Sequence, residues 1–231
     1  FELGKGSFNP ILYEQKRFGK GAGETFNITN LIMTLNLLAR NFSAAGGEEG
    51  KSEKFWDNAV KRAITRMVDL LKLSGEDLTI MNMREVIVNA LTKEDVERFN
   101  DITKILEDEQ AGDEDRKIAF ADLRAWARQN FCLKCLLDVL SKDDLTDGQK
   151  ESSNLVKSFF FKEFAYLSER TKSIIVESFL GLIQPFESDL LRDQFSKDIS
   201  DDLWPELAYE EGKIINLDLP VKEHLLAGVY A

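Results

Sequence analysis

Across residues 55–71 the apolar side chains of Phe55, Trp56, Ala59, Val60, Ala63, Ile64, Met67 and Leu71 recur at steps of three and four. That is the period of one face of an α-helix, and so continuous a face has to be buried against other apolar surface. The chain therefore needs partner helices, and the same spacing supplies them. Ile28, Leu31, Ile32, Leu35, Leu38 and Phe42 share a face that starts near Thr25 and stops at Gly46 and Gly47. After a break at Ser74 and Gly75, Thr79 caps a helix burying Met83, Val86, Ile87 and Ala90, and Thr92 caps one carrying Val96, Phe99, Ile102 and Leu106. An acidic break follows, and then a longer, bent helix is expected over 115–141 through Ile118, Leu123, Trp126, Phe131, Cys135 and Val139. Thr146 and Gln149 form a capping box for a helix that buries Leu155, Val156, Phe159, Phe160 and Phe164. Segments 168–184 and 189–195 bring the count to about eight helices.

The two ends read differently. Residues 1–23 contain Gly4, Gly6, Pro10, Gly19, Gly21 and Gly23 without a helical period, which predicts a strand end and an extended loop. Residues 212–220 form a β-branched run between Gly212 and Pro220, a single strand. A lone strand cannot satisfy its own backbone groups. The expected fold class is therefore mainly α: a multi-helix bundle with short strand fragments at both ends that belong to a larger α/β domain, the chain being a piece of something longer. The corresponding division is 1–23, 24–210 for the all-α domain, and 211–231 for the return strand.

Composition narrows the function classes. A formal charge of −11, from 41 Asp plus Glu against 30 Lys plus Arg, disfavours the whole surface as a nucleic-acid platform but permits a local basic patch. No run approaches the ~18–20 apolar residues of a membrane-spanning helix, so this segment is not expected to insert. Two cysteines are too few for a disulfide framework and favour a reducing, cytoplasmic setting.

Each candidate constellation has a chemical and a plain structural reading. Gly4-Lys5-Gly6-Ser7 and the Gly19, Gly21, Gly23 loop could cradle phosphate, but neither fits G-x-x-x-x-G-K-[ST]. Asp143, Asp144 and Asp147 spell D-D-x-x-D, a magnesium–diphosphate motif of helical enzymes; capping around Thr146 explains them more simply. Cys132 and Cys135 share one helix face, yet four ligands are wanted for structural zinc, so two core thiols are the expectation. Lys54, Lys61, Arg62, Arg66 and Lys72 lie opposite the apolar face of the 55–71 helix, suited to phosphate or to an acidic partner. Glu107, Asp108, Glu109, Asp113, Glu114 and Asp115 have the reverse preference. No catalytic, cofactor or metal residue is assigned.

Four segments resemble the coupling proteins of type IV secretion and conjugation, the TraG-like ATPases. They are Phe8-Asn9-Pro10-Ile11-Leu12-Tyr13-Glu14 with its glycine loop; Phe55-Trp56-Asp57-Asn58-Ala59 with Leu70-Leu71; Glu169-Arg170-Thr171-Lys172-Ser173-Ile174-Ile175 with Leu190-Leu191-Arg192; and residues 212–223. They occur in the family's order and span nearly the whole chain. The resemblance implies an all-α domain inserted in a RecA-like nucleotide-binding domain, with the terminal strands as edges of that domain. It implies a hexameric parent that uses ATP and magnesium at the cytosolic face of the bacterial inner membrane. The domain's role would be docking relaxase, secreted effector or single-stranded DNA, with Arg170 and Lys172 as further contact candidates. The chain departs from the family in lacking a P-loop, and Leu219 follows Asp218 where a Walker B motif has Glu, so no ATP hydrolysis is expected of it. A stand-alone helical adaptor and a magnesium-dependent enzyme using Asp143, Asp144 and Asp147 are the alternatives.

Overall fold

The computed structural model describes residues 8–17, 23–43, 51–187, 192, 210–212 and 214, with the side chains of 35–43, 51–55 and 185 left aside. The described residues are mainly helical and contain no strand. The helices are α1 (Pro10–Lys16), α2 (Thr25–Ser43), α3 (Lys51–Ser74), α4 (Ile80–Val88), α5 (Lys93–Glu107), α6 (Asp113–Gln129), α7 (Phe131–Leu140), α8 (Asp147–Ser158) and α9 (Glu169–Glu187). A π-helical turn, Phe159–Glu163, and a 3-10 turn, Phe164–Tyr166, follow α8. Of the strand end and loop expected over 1–23, residues 1–7 and 18–22 lie outside the described residues, as do the strand expected at 212–220 apart from Gly212 and Ile214 and the 189–195 helix apart from Arg192.

Three expectations need correction. Residues 10–16 are helix, not loop. Asn9 is extended, and its side-chain oxygen accepts the N–H groups of Ile11 and Leu12 at 3.1 Å each. Pro10 occupies the first helical position, where its missing N–H costs nothing, and Ile11 is buried. The 115–141 helix is two helices, because Asn130 ends one and starts the next. Its N–H donates to Trp126 O at 3.0 Å, and its side-chain oxygen accepts from Leu133 N–H at 2.7 Å. Lastly, Ile118 and Leu155 point to solvent at 60% and 46% exposure. The inward line runs through Ser153 and Val156 of α8 to Phe160 of the turn that follows, and Leu155 falls more than a third of a turn away from it.

Cα proximity divides the chain into two compact units, 1–65 with 78–80 and 177–231, and 66–77 with 81–176. In the first, α1 packs on α2. The amino-terminal part of α3 contributes Val60, Ala63 and Ile64 to the buried set, and Thr29 Oγ1 donates to Thr65 Oγ1 at 3.4 Å. In the second, α5 packs on α6 and α6 on α7. Met67, Val68, Leu70, Leu71, Met83, Val86, Leu91, Leu133, Leu136 and Phe160 are fully buried. Gly75, at φ +88°, lets the chain leave α3 in a conformation few other residues adopt, and Lys142 Nζ caps the helix by donating to Leu73 O at 2.6 Å. Lys134 adds an ion pair with Glu76.

The capping boxes fall where the sequence puts caps. Asp95 N–H donates to Thr92 Oγ1 at 3.1 Å while Thr92 N–H donates to Asp95 Oδ2 at 2.9 Å, and Thr146 and Gln149 repeat the arrangement on α8. Thr92→Ala should lower the unfolding free energy by about 1 kcal/mol, and Met67→Ala by roughly 2–5 kcal/mol. Urea denaturation followed by circular dichroism measures both.

Candidate functional site

The basic residues of α3 do not form a uniform free face. Arg66 Nη1 is 2.8 Å from Asp69 Oδ2, one turn on, and both side chains are largely covered. The pair lets the helix bury a carboxylate, and it spends the guanidinium's charge internally. Lys61 Nζ stands 5.9 Å from the centre of the Phe26 ring, a cation–π contact inside the first unit. Arg62 and Lys72 are exposed, and Lys54 lies on the same helix with its side chain outside the described set. On α9, Arg170 is exposed, whereas Lys172 is 9% exposed and pairs with Glu169 at 3.0 Å.

The glycine-rich segments 4–7 and 19–23 lie outside the described residues apart from Gly23. Asp143, Asp144 and Asp147 are exposed, and Asp147 lies 3.6 Å from Lys150 across the first turn of α8. Among the described residues no three His, Cys, Asp or Glu side chains are grouped to hold a metal ion. Cys132 and Cys135 are free and fully buried on the inner face of α7. Burial, which disfavours the thiolate, pushes Cys132 well above the ordinary thiol range and Cys135 to about 11. Burial thus disfavours the nucleophilic thiolate form of both at neutral pH.

One concavity among the described residues lies within the second unit. It is a groove of about 810 Å³ bordered by Phe99 of α5, Leu140 of α7, Lys157 of α8, Phe161 and Lys162 of the π turn, and Tyr166. Its shape follows from the winding after α8. Phe164 N–H donates to Phe159 O, five residues back, so the chain takes one wider turn. That turn brings the rings of Phe159 and Phe164 to 5.6 Å, and Phe159 also meets Phe160 edge-on at 5.1 Å, all three in the core. Phe161 and Lys162 are thereby left on the groove side, and Phe161 leans on Phe99 at 4.9 Å. Three consecutive phenylalanines cannot share one α-helical face, and that run was the available signal.

No protein-family model, curated protein sequence or solved structure matches the chain.

The buried thiols carry a pH consequence. Their folded-state pKa values exceed the ordinary value near 9, so the stability they contribute is present below pH 9 and is lost as pH rises toward about 11. Urea midpoints measured from pH 8 upward should fall less steeply in a Cys132→Ala, Cys135→Ala double variant than in the parent. Ellman's reagent should label the parent only slowly until urea unfolds it.

Proposed function

We propose that this chain is the substrate-recognition all-α domain of a conjugative, type IV secretion coupling ATPase. In this reading it docks relaxase or effector protein, with any attached DNA, at the cytosolic entrance of a hexameric motor. The observation that carries the reading is the order of the four family-like segments along the chain. The mainly helical character of the described residues supports it, as does the absence of any helix, among them, long and apolar enough to cross a membrane. Residues 1–23 and 211–231 are then edges of the RecA-like domain, and ATP and magnesium belong to the parent's motor. The domain itself recognises and does not catalyse.

The geometry favours protein over DNA as the direct ligand. Two of the basic candidates, Arg66 and Lys172, are paired with Asp69 and Glu169 and so contribute less to displacing counterions from a phosphate backbone. The groove in the second unit gives some support to a helical adaptor acting without a motor, because an aromatic cleft suits a docked side chain whatever flanks the domain.

A salt series with labelled single-stranded DNA and with a cognate relaxase separates these readings. Relaxase binding is expected, with DNA affinity that is weak and falls further as salt rises. Adding Lys61→Ala and Arg62→Ala should reduce the salt slope of any residual DNA binding by about one per lysine or arginine engaged. Tight DNA binding that ignores these substitutions would count against protein docking as the primary role. A complete gene without P-loop or transmembrane segments would favour the adaptor.

A further inference from the structure

The groove of the second unit reverses the chain's charge. The protein carries −11 overall, yet no carboxylate borders this concavity, while Lys157 and Lys162 do. Neither lysine makes an ion pair among the described residues, in a molecule where most other described lysines and arginines have an acidic or aromatic neighbour. The same lining includes Phe99 and Phe161, in contact with each other, and Tyr166, 52% exposed. The π turn that builds this side of the groove is an irregularity found disproportionately at functional sites. Here its effect is specific, since it aims Phe161 and Lys162 outward while Phe159, Phe160 and Phe164 stay in the core.

We propose that the groove binds an acidic peptide segment of a docked protein. One large apolar side chain of the peptide seats against Phe99 and Phe161, and flanking carboxylates pair with Lys157 and Lys162. The inference deepens the docking reading, on which it rests for the protein that would donate the segment. Charge complementarity selects the sign of the ligand and the aromatic floor selects its anchor. A volume of about 810 Å³ accommodates an anchor with its neighbouring residues. Single-stranded nucleic acid fits less well. It needs a track of cations and open ring faces on which successive bases stack, whereas Phe99 and Phe161 tilt against each other at 4.9 Å and Tyr166 offers one ring.

The test uses the 231-residue chain, isotopically labelled, and a fluorescent synthetic peptide of aspartate and glutamate residues around a central tryptophan. Three controls accompany it: the same peptide with alanine for tryptophan, the same peptide with lysine for the acidic residues, and oligothymidylate. Saturable binding of the acidic tryptophan peptide is expected, with amide shifts centred on Phe99, Phe161 and Tyr166 and with loss of binding in the alanine control. Lys157→Glu combined with Lys162→Glu should weaken it about tenfold or more. Tyr166→Ala, at an exposed position that leaves the core intact, should weaken it severalfold. Equal binding of the basic peptide, shifts confined to other surfaces, absence of binding, or oligothymidylate competing at the same amides would each overturn the proposal. Relaxase is titrated in parallel. Relaxase binding without groove shifts removes the groove assignment and leaves the docking reading, whereas acidic-peptide binding at the groove without relaxase binding keeps the groove and removes that reading.

Discussion

The middle of α3 is buried on every side, and the rest of the structure depends on that fact. Met67, Val68, Asp69, Leu70 and Leu71 are consecutive and all buried, which no amphipathic surface helix can be. Removing apolar surface from water is the dominant favourable term in folding, and these residues supply a continuous stretch of it. It imposes a condition at Asp69, whose carboxylate loses solvent and regains a partner in Arg66 at 2.8 Å. It also demands a clean stop, since a helix buried this deeply cannot leave its last carbonyls without partners. Gly75 and the Lys142 ammonium provide one. The earlier turns of α3 give Val60, Ala63 and Ile64 to the first unit's buried set, so one helix supplies apolar residues to both units.

The π turn after α8 is a second constraint, and it explains why the second unit has a groove. A regular helix through Phe159, Phe160 and Phe161 would have to bury or expose rings by angular position alone. Widening one turn lets Phe164 fall beneath Phe159, and the aromatic cluster closes without Phe161. Phe161 then satisfies itself sideways against Phe99 on α5. The groove is thus the outer side of a core-packing solution.

Charge is distributed with the same economy. The basic stripe on α3 is diminished by an internal ion pair at Arg66 and by the Phe26 ring beside Lys61, while Asp113, Glu114 and Asp115 occupy the first turn of α6, the positive end of its macrodipole. Charges conspicuous in the linear sequence are therefore partly committed to the fold. Lys157 and Lys162, which make no ion pair among the described residues, are unremarkable in sequence and become a feature only because both border one concavity.

Most of the helices were legible because their cause is local. Burial at every third and fourth residue identified α2, α3, α5 and α9, and the side chains that cap α5 and α8 stand within one turn of the groups they satisfy. Asn9-Pro10 carried the same kind of local signal for α1, outweighed by the glycines around it, and Asn130 carried it for the break between α6 and α7. Which way Leu155 and Ile118 face was not local, because a helix with apolar residues on two sides is oriented by its neighbours. The groove was beyond the sequence for the same reason: Phe99 and Phe161 are 62 positions apart, and only packing brings α5 to the turn that follows α8. By itself the sequence determined a mainly helical chain and where most of the described helices begin, since hydrogen bonds and apolar period act within a few residues; the tertiary structure alone decided which charges are paired and where a ligand could sit, since both depend on contacts between segments far apart in the chain.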